Sequence, residues 1–538
     1  MVHAIDAYGL VGDMRTAALI GPDGSVDWLC LPRFDSPSVF GALLDDRKGG
    51  RFRVGPASGE KGTQRYLEGT AILETRFKTP TGVLELVDFM DPLASAPVLV
   101  RRLRCVSGRV KVSLRCAPAF DYGLRRGKGA SSSWTMKAGQ TCDLAFGDAE
   151  PDAYERTVRF WREWSGRVRA NGPYKESILR SAITLKLMTY APTGAIIAAP
   201  TTSLPEGIGG VRNWDYRFTW IRDGCFTADA FLALGMKEEV EAYLRWVDAR
   251  LAEGPIQIMY GIDGKRRLTE KELGHLSGYR DSIPVRIGNG AYNQLQLDIY
   301  GELLDTVLKA VRAKAAVPNS LIRRLPRLLD TVCRLWRETD EGIWEIRGKP
   351  RHFVYSKVMC WAALDRGVRL SSRFGWERKA GVWREERRAL RREILKRGYS
   401  VPLKSFLQAY DHSSLDASAL KIGLLGFVRP KDPRFVSTVR AIEAGLGVNG
   451  MIYRYTDGQE TDGLPGEEGT FTICSFWHAE ALARAGKLTE AKKVFEGLLN
   501  RSGPLGLFSE QIASDGTALG NYPQAFTHLS LVQAALAL

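Results

Sequence analysis

Four segments of the sequence combine acidic side chains with aromatic rings in loops between helical stretches. The first, Asn213-Trp-Asp-Tyr-Arg-Phe-Thr-Trp-Ile-Arg-Asp223, gathers Trp214, Tyr216, Phe218 and Trp220 around Asp215, Arg217, Arg222 and Asp223. Aromatic faces stack on the apolar faces of sugar rings, and paired charges grip hydroxyls. A helix N-terminus with Asp/Arg pairs is the plainer alternative. The second, Asp340-Glu-Gly-Ile-Trp-Glu-Ile-Arg-Gly-Lys-Pro-Arg-His352, sets Glu345 beside Trp344 with Ile343 and Ile346 as neighbours. Desolvation there can raise a carboxyl pKa, as a general acid requires. A surface Glu paired with Arg347 or Arg351 is the alternative. The third, Asp462-Gly-Leu-Pro-Gly-Glu-Glu-Gly-Thr-Phe471, puts Glu467 and Glu468 at the start of a predicted helix, where the dipole favours negative charge and simple capping also fits. The fourth runs from Leu507 to Gly516 and from Gly520 to His528. In it Glu510, followed by Gln511, is placed either to polarise water or to serve as a polar turn residue.

Other catalytic vocabulary is missing. The sequence has no G-x-S-x-G elbow, P-loop, HExxH or EF-hand loop, and Gly288-Asn-Gly290 is too short for a nucleotide fingerprint. Its six histidines are dispersed. None of the eight cysteines forms a CxxC motif, so they read as buried free thiols in a reducing compartment. Two carboxylates on separate loops, among aromatics and without a cofactor motif, point to glycoside hydrolysis. One protonates the leaving oxygen; the other activates water or attacks carbon. Sequence distance does not set their separation, so inverting and retaining chemistry both remain open at this point.

The elements that must position these loops fall into two parts, with a change of character near residue 150. Before it, Ala18-Leu-Ile20 and Ser25-Val-Asp-Trp-Leu-Cys30 flank the turn Gly21-Pro-Asp-Gly24. Ala71 to Phe77 and Val83 to Phe89 flank Thr79-Pro-Thr-Gly82, and Val98 to Cys105 and Val110 to Cys116 read as a third pair joined at Ser107-Gly108. Consecutive hairpins with period-2 alternation predict an antiparallel β-sandwich over residues 1–150. A linker helix is expected within 151–173, from Ala153 to Val168. Beyond it the apolar period becomes helical in twelve stretches, near 176–191, 221–235, 237–252, 290–313, 318–338, 353–371, 374–397, 414–426, 433–446, 468–486, 488–500 and 523–537. Paired in sequence, they predict six α-hairpins closed into an (α/α)6 barrel over 174–538. An open solenoid would repeat its sequence at a fixed period, and these pairs do not.

Composition sets the outer bounds. The 538 residues are 44% hydrophobic and 25% charged, ordinary for a globular chain. No apolar run approaches the ~18 residues a membrane span needs. The net charge of +15 would suit nucleic acid, but much of the excess lies on predicted helices such as Trp383 to Lys396, where it alternates with Glu and Leu. That pattern reads as solvated helix faces, and no nucleic-acid-binding signature accompanies it. Met1-Val-His-Ala-Ile-Asp-Ala lacks the basic and apolar regions of a signal peptide, so the expected location is cytoplasmic.

With these segments in view, the chain resembles glycoside hydrolase family 15, the glucoamylase, glucodextranase and trehalase group, nearly end to end. Arg15-Thr-Ala-Ala-Leu19 and Gly24-Ser-Val-Asp-Trp-Leu-Cys-Leu-Pro-Arg-Phe-Asp-Ser36 look like its trehalase-like N-terminal domain. Residues from about 174 onward look like its (α/α)6 barrel. Phe218-Thr-Trp-Ile-Arg-Asp223 is similar to the family's aromatic-Thr-Trp-x-Arg-Asp motif. The resemblance therefore implies that Arg222 and Asp223 bind the terminal glucose hydroxyls and that Trp220 lines the pocket. Gly342-Ile-Trp-Glu345 and Phe508-Ser-Glu-Gln511 look like the segments bearing the general acid and general base, which implies those roles for Glu345 and Glu510. Trp344, Glu467 and Glu468 complete the expected substrate-binding set. The family's inverting mechanism implies release of β-glucose and a carboxyl separation of ~6.5–9.5 Å. No cofactor, metal, nucleic acid or membrane partner is implied. Trehalose is favoured over the non-reducing ends of α-glucans, because the N-terminal domain is short and no starch-binding module is appended. A non-catalytic carbohydrate-binding protein is disfavoured by the presence of both Glu345 and Glu510. Only about twenty residues separate Asp121-Tyr-Gly123 from Asp143. Related domains continue through more strands there, so a shortened sandwich is expected.

Overall fold

The computed structural model describes residues 2–455 and 462–538; Met1, where the N-terminal reading begins, and 456–461 lie outside them. Strands up to residue 146 form an eleven-stranded antiparallel sheet. Its main path runs Gly9–Gly12, Ala17–Ile20, Ser25–Cys30, Arg51–Pro56, Leu99–Ala117, Gly82–Met90, Leu73–Thr79, Thr63–Tyr66. The alternation seen in the sequence is the alternation of faces: Leu73, Thr75 and Phe77 point into the core, while Arg76 and Lys78 are exposed.

The first two expected hairpins form. The third does not: Leu99–Ala117 is a single 19-residue strand. Ser107-Gly108 reads as a turn, but here Gly108 takes φ 68 opposite a bulge at Val83/Leu84, which bends the strand without reversing it. Its first half pairs with Gly82–Met90 and its second with Arg51–Pro56, so one continuous sheet folds over along this strand in place of two separate sheets. Arg101 sits near the fold. It bonds Asp88 at 2.6 Å and donates to the carbonyls of Phe52 and Gly24, each at 2.8 Å, tying the two layers together. Both charges are fully buried, and removing one would strand the other at a cost of about 3–5 kcal/mol. The stretch that looked shortened forms a hairpin, Ala130–Lys137 and Thr141–Phe146, whose two strands pair with the two halves of the long strand.

After the helix Ala153–Gly166, outer and inner helices alternate. Ile221–Ala233, Asp298–Arg312, Val354–Phe374, the short segment Ala417–Leu424, Thr472–Arg484 and Ala525–Ala537 each contact the next, and the last returns to the first. These inner helices are buried on almost every side, as in the run Thr472 to Ala483. An outer helix such as Glu377–Arg397 buries only Ala380, Trp383, Leu390 and Ile394, a single stripe. Its arginines and lysines lie mostly on the remaining face, where much of the basic excess resides. Among the described residues, no helix is long and apolar enough to cross a membrane.

Three helices differ from expectation at their starts or in length. The one expected from 290 begins at Asp298, because Gly290–Asn293 forms a separate 3-10 turn capped by the Asn289 side chain. The one expected from 468 begins at Thr472, because Thr470–Phe471 pair with Gln511–Ile512 as strand. Glu467 and Glu468 therefore do not open a helix. The stretch 414–426 is a 3-10 turn, Ala417–Leu420, followed by one helical turn, Lys421–Leu424.

Candidate active site

The N-terminal ends of the inner helices converge on the loops singled out above. Trp220, Phe471 and Gln524 immediately precede Ile221–Ala233, Thr472–Arg484 and Ala525–Ala537 and make no side-chain cap, leaving the first backbone N–H groups uncapped by them. Helix N-termini present backbone N–H groups and partial positive charge, an environment suited to carboxylates and hydroxyls. Asn213–Asp215 and Thr219–Trp220 are short strands, and between them the Asp215 side chain accepts from the Arg217 backbone N–H at 3.2 Å. Trp214, Tyr216 and Trp220 face the cavity. Asp215 and Arg217 turn away and bond each other at 2.7 Å. Arg217 also donates to the Ser36 carbonyl and the Tyr122 hydroxyl, each at 2.9 Å, and Trp28 Nε1 donates to the Pro200 carbonyl at 2.8 Å. The β-sheet part thus holds this loop from behind.

The cavity consists of two chambers in series. The inner one is walled by Trp220, Arg222, Asp223, Glu510, Gln524 and Phe526. The outer one is walled by Glu206, Arg212, Trp214, Asn289, Arg347 and Asp462. Tyr216, Trp344, Glu345 and Arg454 line both and form the seam. A larger cavity, of about 170 Å³, lies at the other ends of the inner helices. Its Asp229 and Asp305 are held by Lys309 and Arg366, so it offers no free carboxylate pair.

Glu345 occupies the seam with φ 57, a left-handed backbone uncommon outside glycine and found where a side chain must be aimed. Its Oε1 accepts from Trp220 Nε1 at 2.5 Å and from Arg222 at 3.4 Å. Glu510 belongs to the inner chamber alone and is 1% exposed. Its Oε1 accepts from the Tyr216 hydroxyl at 2.8 Å and its Oε2 from the Asn521 backbone N–H at 3.3 Å. A side chain at Gly520 would meet Glu510 Oε2 at 2.3 Å, so only glycine fits beside it. Tyr216 and Trp220 meet edge-on at 5.6 Å, so two aromatic side chains link the two carboxylates.

Burial raises the Glu510 carboxyl well above its usual range; the nearby charge of Glu206 adds to this, and the Tyr216 hydrogen bond opposes it. Tyr216→Phe is therefore expected to raise the Glu510 pKa further. A base with a higher pKa loses its proton only at higher pH. The acid limb of the kcat/KM profile should move upward, with the alkaline limb in place. An unmoved acid limb would disconnect Tyr216 from the titrating group.

Arg222 donates to the Ile343 carbonyl at 2.7 Å and pairs with Asp223 at 3.2 Å. Burial pushes the Asp223 carboxyl up to about 7. Trp344 is fixed by its Nε1 on Asp416, at 3.0 Å to both oxygens, and its ring packs against Phe471 and Trp477. Of the expected binding residues, Trp220, Arg222, Asp223 and Trp344 thus meet at the chambers together with Glu345 and Glu510. Glu468 lines neither chamber and is engaged by Arg454, Nε to Oε1 at 3.1 Å. Glu467 is exposed and lines neither; its carbonyl approaches Gly207.

Sequence reasoning missed several residues here. Glu206 carries no aromatic-rich signature, Arg212 lies one residue before the first aromatic segment, and Arg454, between Tyr453 and Tyr455, has aromatic neighbours but no acidic one. Behind Arg222, the helix start contributes Asp298 and Glu302, buried carboxyls held above their usual range by desolvation. The helix Asp298–Arg312 also carries Asp305, Lys309 and Arg312, so only burial singles out Asp298 and Glu302. Among the described residues, no group of three or more His, Cys, Asp or Glu is arranged to hold a metal.

A sheet part bracing a helical ring, with two carboxylates lining one cavity among aromatic rings, describes a glycoside hydrolase. The family model described as glycosyl hydrolases family 15 matches residues 172–536, and that described as trehalase-like, N-terminal, matches residues 1–128. The chain belongs to glycosyl hydrolases family 15. A protein named trehalase from Mycobacterium tuberculosis is 40% identical over 604 aligned residues, covering 98% of this chain and 88% of its own length. A trehalase of Thermoplasma volcanium is 34% identical over 584, covering 99% and 93%. The solved structure of a bacterial glucoamylase complexed with acarbose matches with a TM-score of 0.72 at 14% identity, over 98% of this chain and 93% of that one. That likeness concerns the fold.

Proposed function

We propose that this chain is an inverting trehalase, hydrolysing α,α-trehalose with Glu345 as general acid and Glu510 as general base. The observation that carries this reading is the division of the cavity: Glu345 at the seam, Glu510 in the inner chamber only. One glucose occupies the inner chamber, with Arg222 and Asp223 on its hydroxyls and Trp220 and Trp344 along its ring. The bridging oxygen then lies at the seam, where Glu345 protonates it as the C–O bond breaks. Glu510 takes a proton from water, and the water oxygen bonds to the anomeric carbon from the opposite face. The attacked glucose leaves as the β anomer and the other keeps its α configuration. The trehalase names of the relatives, at 34–40% identity across nearly the whole chain, support the choice of substrate. Glu467 and Glu468 enter as support for the outer rim, Glu468 through Arg454.

The same reading takes the helical ring as an (α/α)6 barrel over 174–538, joined through 151–173 to an N-terminal domain over 1–150. It also keeps the cytoplasmic location, supported by the eight unpaired cysteines. The competing substrate class is the one weighed from the sequence, the non-reducing ends of malto-oligosaccharides or α-glucans. Glucose release from trehalose, maltose, isomaltose and maltoheptaose, each supplied separately, tests the proposal. Trehalose is expected to be turned over with the highest kcat/KM. Preference for maltoheptaose would move the chain to the glucoamylase reading, and no glucose from any of the four would end the hydrolase reading.

A further inference from the structure

We propose that Glu206 is the specificity residue of the outer chamber, its carboxylate accepting a hydroxyl of the leaving glucose. This rests on the hydrolytic reading above and names a recognition element for it. Glu206 follows the strand Thr202–Pro205, which pairs with Asn213–Asp215, and its backbone N–H closes the connecting loop on the Arg212 carbonyl at 3.1 Å. The loop turns through Gly207 to Gly210, with Gly209 at φ 77. A short, closed hairpin loop therefore fixes where the side chain starts.

The side chain ends in the outer chamber, not the inner one. The residue is 2% exposed, yet its Oε2 has no hydrogen-bond partner. Buried acceptors are nearly always satisfied; Oε2 is sealed from solvent beside Arg454, so the carboxylate keeps unused acceptor capacity for a donor brought into the chamber that the residue lines. The neighbouring cations do not serve. Arg212 Nη1 is engaged by Asp462 at 2.6 Å, and Arg454 by Glu468. Arg454 Nη2 stays 3.6 Å from Glu206 Oε2, close enough for charge attraction and too far for a hydrogen bond. Three carboxylates, Glu206, Asp462 and Glu468, thus share two guanidinium groups. A further anion would be repelled, whereas a neutral sugar brings hydroxyl donors without charge. The shared residues Glu345 and Arg454 place this acceptor across the seam from the sugar being attacked.

The test compares two substrates in one variant. α-Glucosyl fluoride fills the inner chamber but places no sugar in the outer one, whereas trehalose and maltose place a glucose in each. Glu206→Gln is expected to reduce kcat/KM for the disaccharide that the wild type cleaves by roughly 10-fold or more beyond any loss on α-glucosyl fluoride, because a charged acceptor is replaced by a neutral amide that keeps one acceptor oxygen and turns the other position into a donor. Glu206→Asp, which keeps the charge but shortens the reach, should show the same split and covers poor folding of the first variant. Equal losses on both substrate types would mean that Glu206 merely supports the catalytic loop, and no loss on the disaccharide would mean it makes no sugar contact; either overturns the proposal. Wild-type turnover of the disaccharides reports separately on the hydrolase reading.

Discussion

Glu510→Gln is expected to lower kcat by at least ~10²-fold on every α-glucoside, including α-glucosyl fluoride, because general-base help is worth about that much or more. The amide keeps the shape and can still accept from Tyr216 and from the Asn521 backbone N–H, so folding should survive. What disappears is the ability to take a proton from the attacking water. No choice of leaving group compensates, since the base acts on the nucleophile. Steady-state kinetics with both substrate types, alongside a thermal melt, checks this. Turnover near wild type on either substrate would remove Glu510 from the base role.

Glu345→Gln is expected to behave differently. On trehalose, whose leaving glucose needs a proton, kcat should also fall by at least ~10²-fold. On α-glucosyl fluoride the loss should be much smaller, because fluoride departs without one. The amide oxygen can still accept from Trp220 Nε1, and Arg222 keeps Asp223 as its ion-pair partner, so the seam should hold its shape. The contrast between two leaving groups separates loss of the acid from general damage. Equal losses on both substrates would contradict the assignment.

How much of this was legible in the sequence depended on whether a signal was local. The half-buried strand Leu73–Thr79 and the outer helix Glu377–Arg397 display their buried faces directly as period-2 and helical stripes. Glu345 and Glu510 stood out through aromatic, loop-borne surroundings, and the fold brings both to one cavity. Ser107-Gly108 misled, because a positive-φ glycine serves a bulge as well as a turn, and only the partner strand decides between them. The late helix starts at Asp298 and Thr472 have the same origin: the preceding residues find partners far away in sequence. Asp215 and Arg217 looked equipped to grip hydroxyls, but the local fold turns them toward the β-sheet part. Glu206, Asp298 and Glu302 are defined by burial among groups scattered across the chain, a property no short window of sequence carries.

The most direct measurement of the central claim follows the anomers of glucose by ¹H NMR in the first minutes after the protein meets trehalose, before mutarotation equalises them. Inversion with Glu345 as acid and Glu510 as base yields one β-glucose and one α-glucose per turnover, so the two signals should rise together in equal amounts. Release of α-glucose alone would require retention, and release of no glucose would deny the activity; either result contradicts the account.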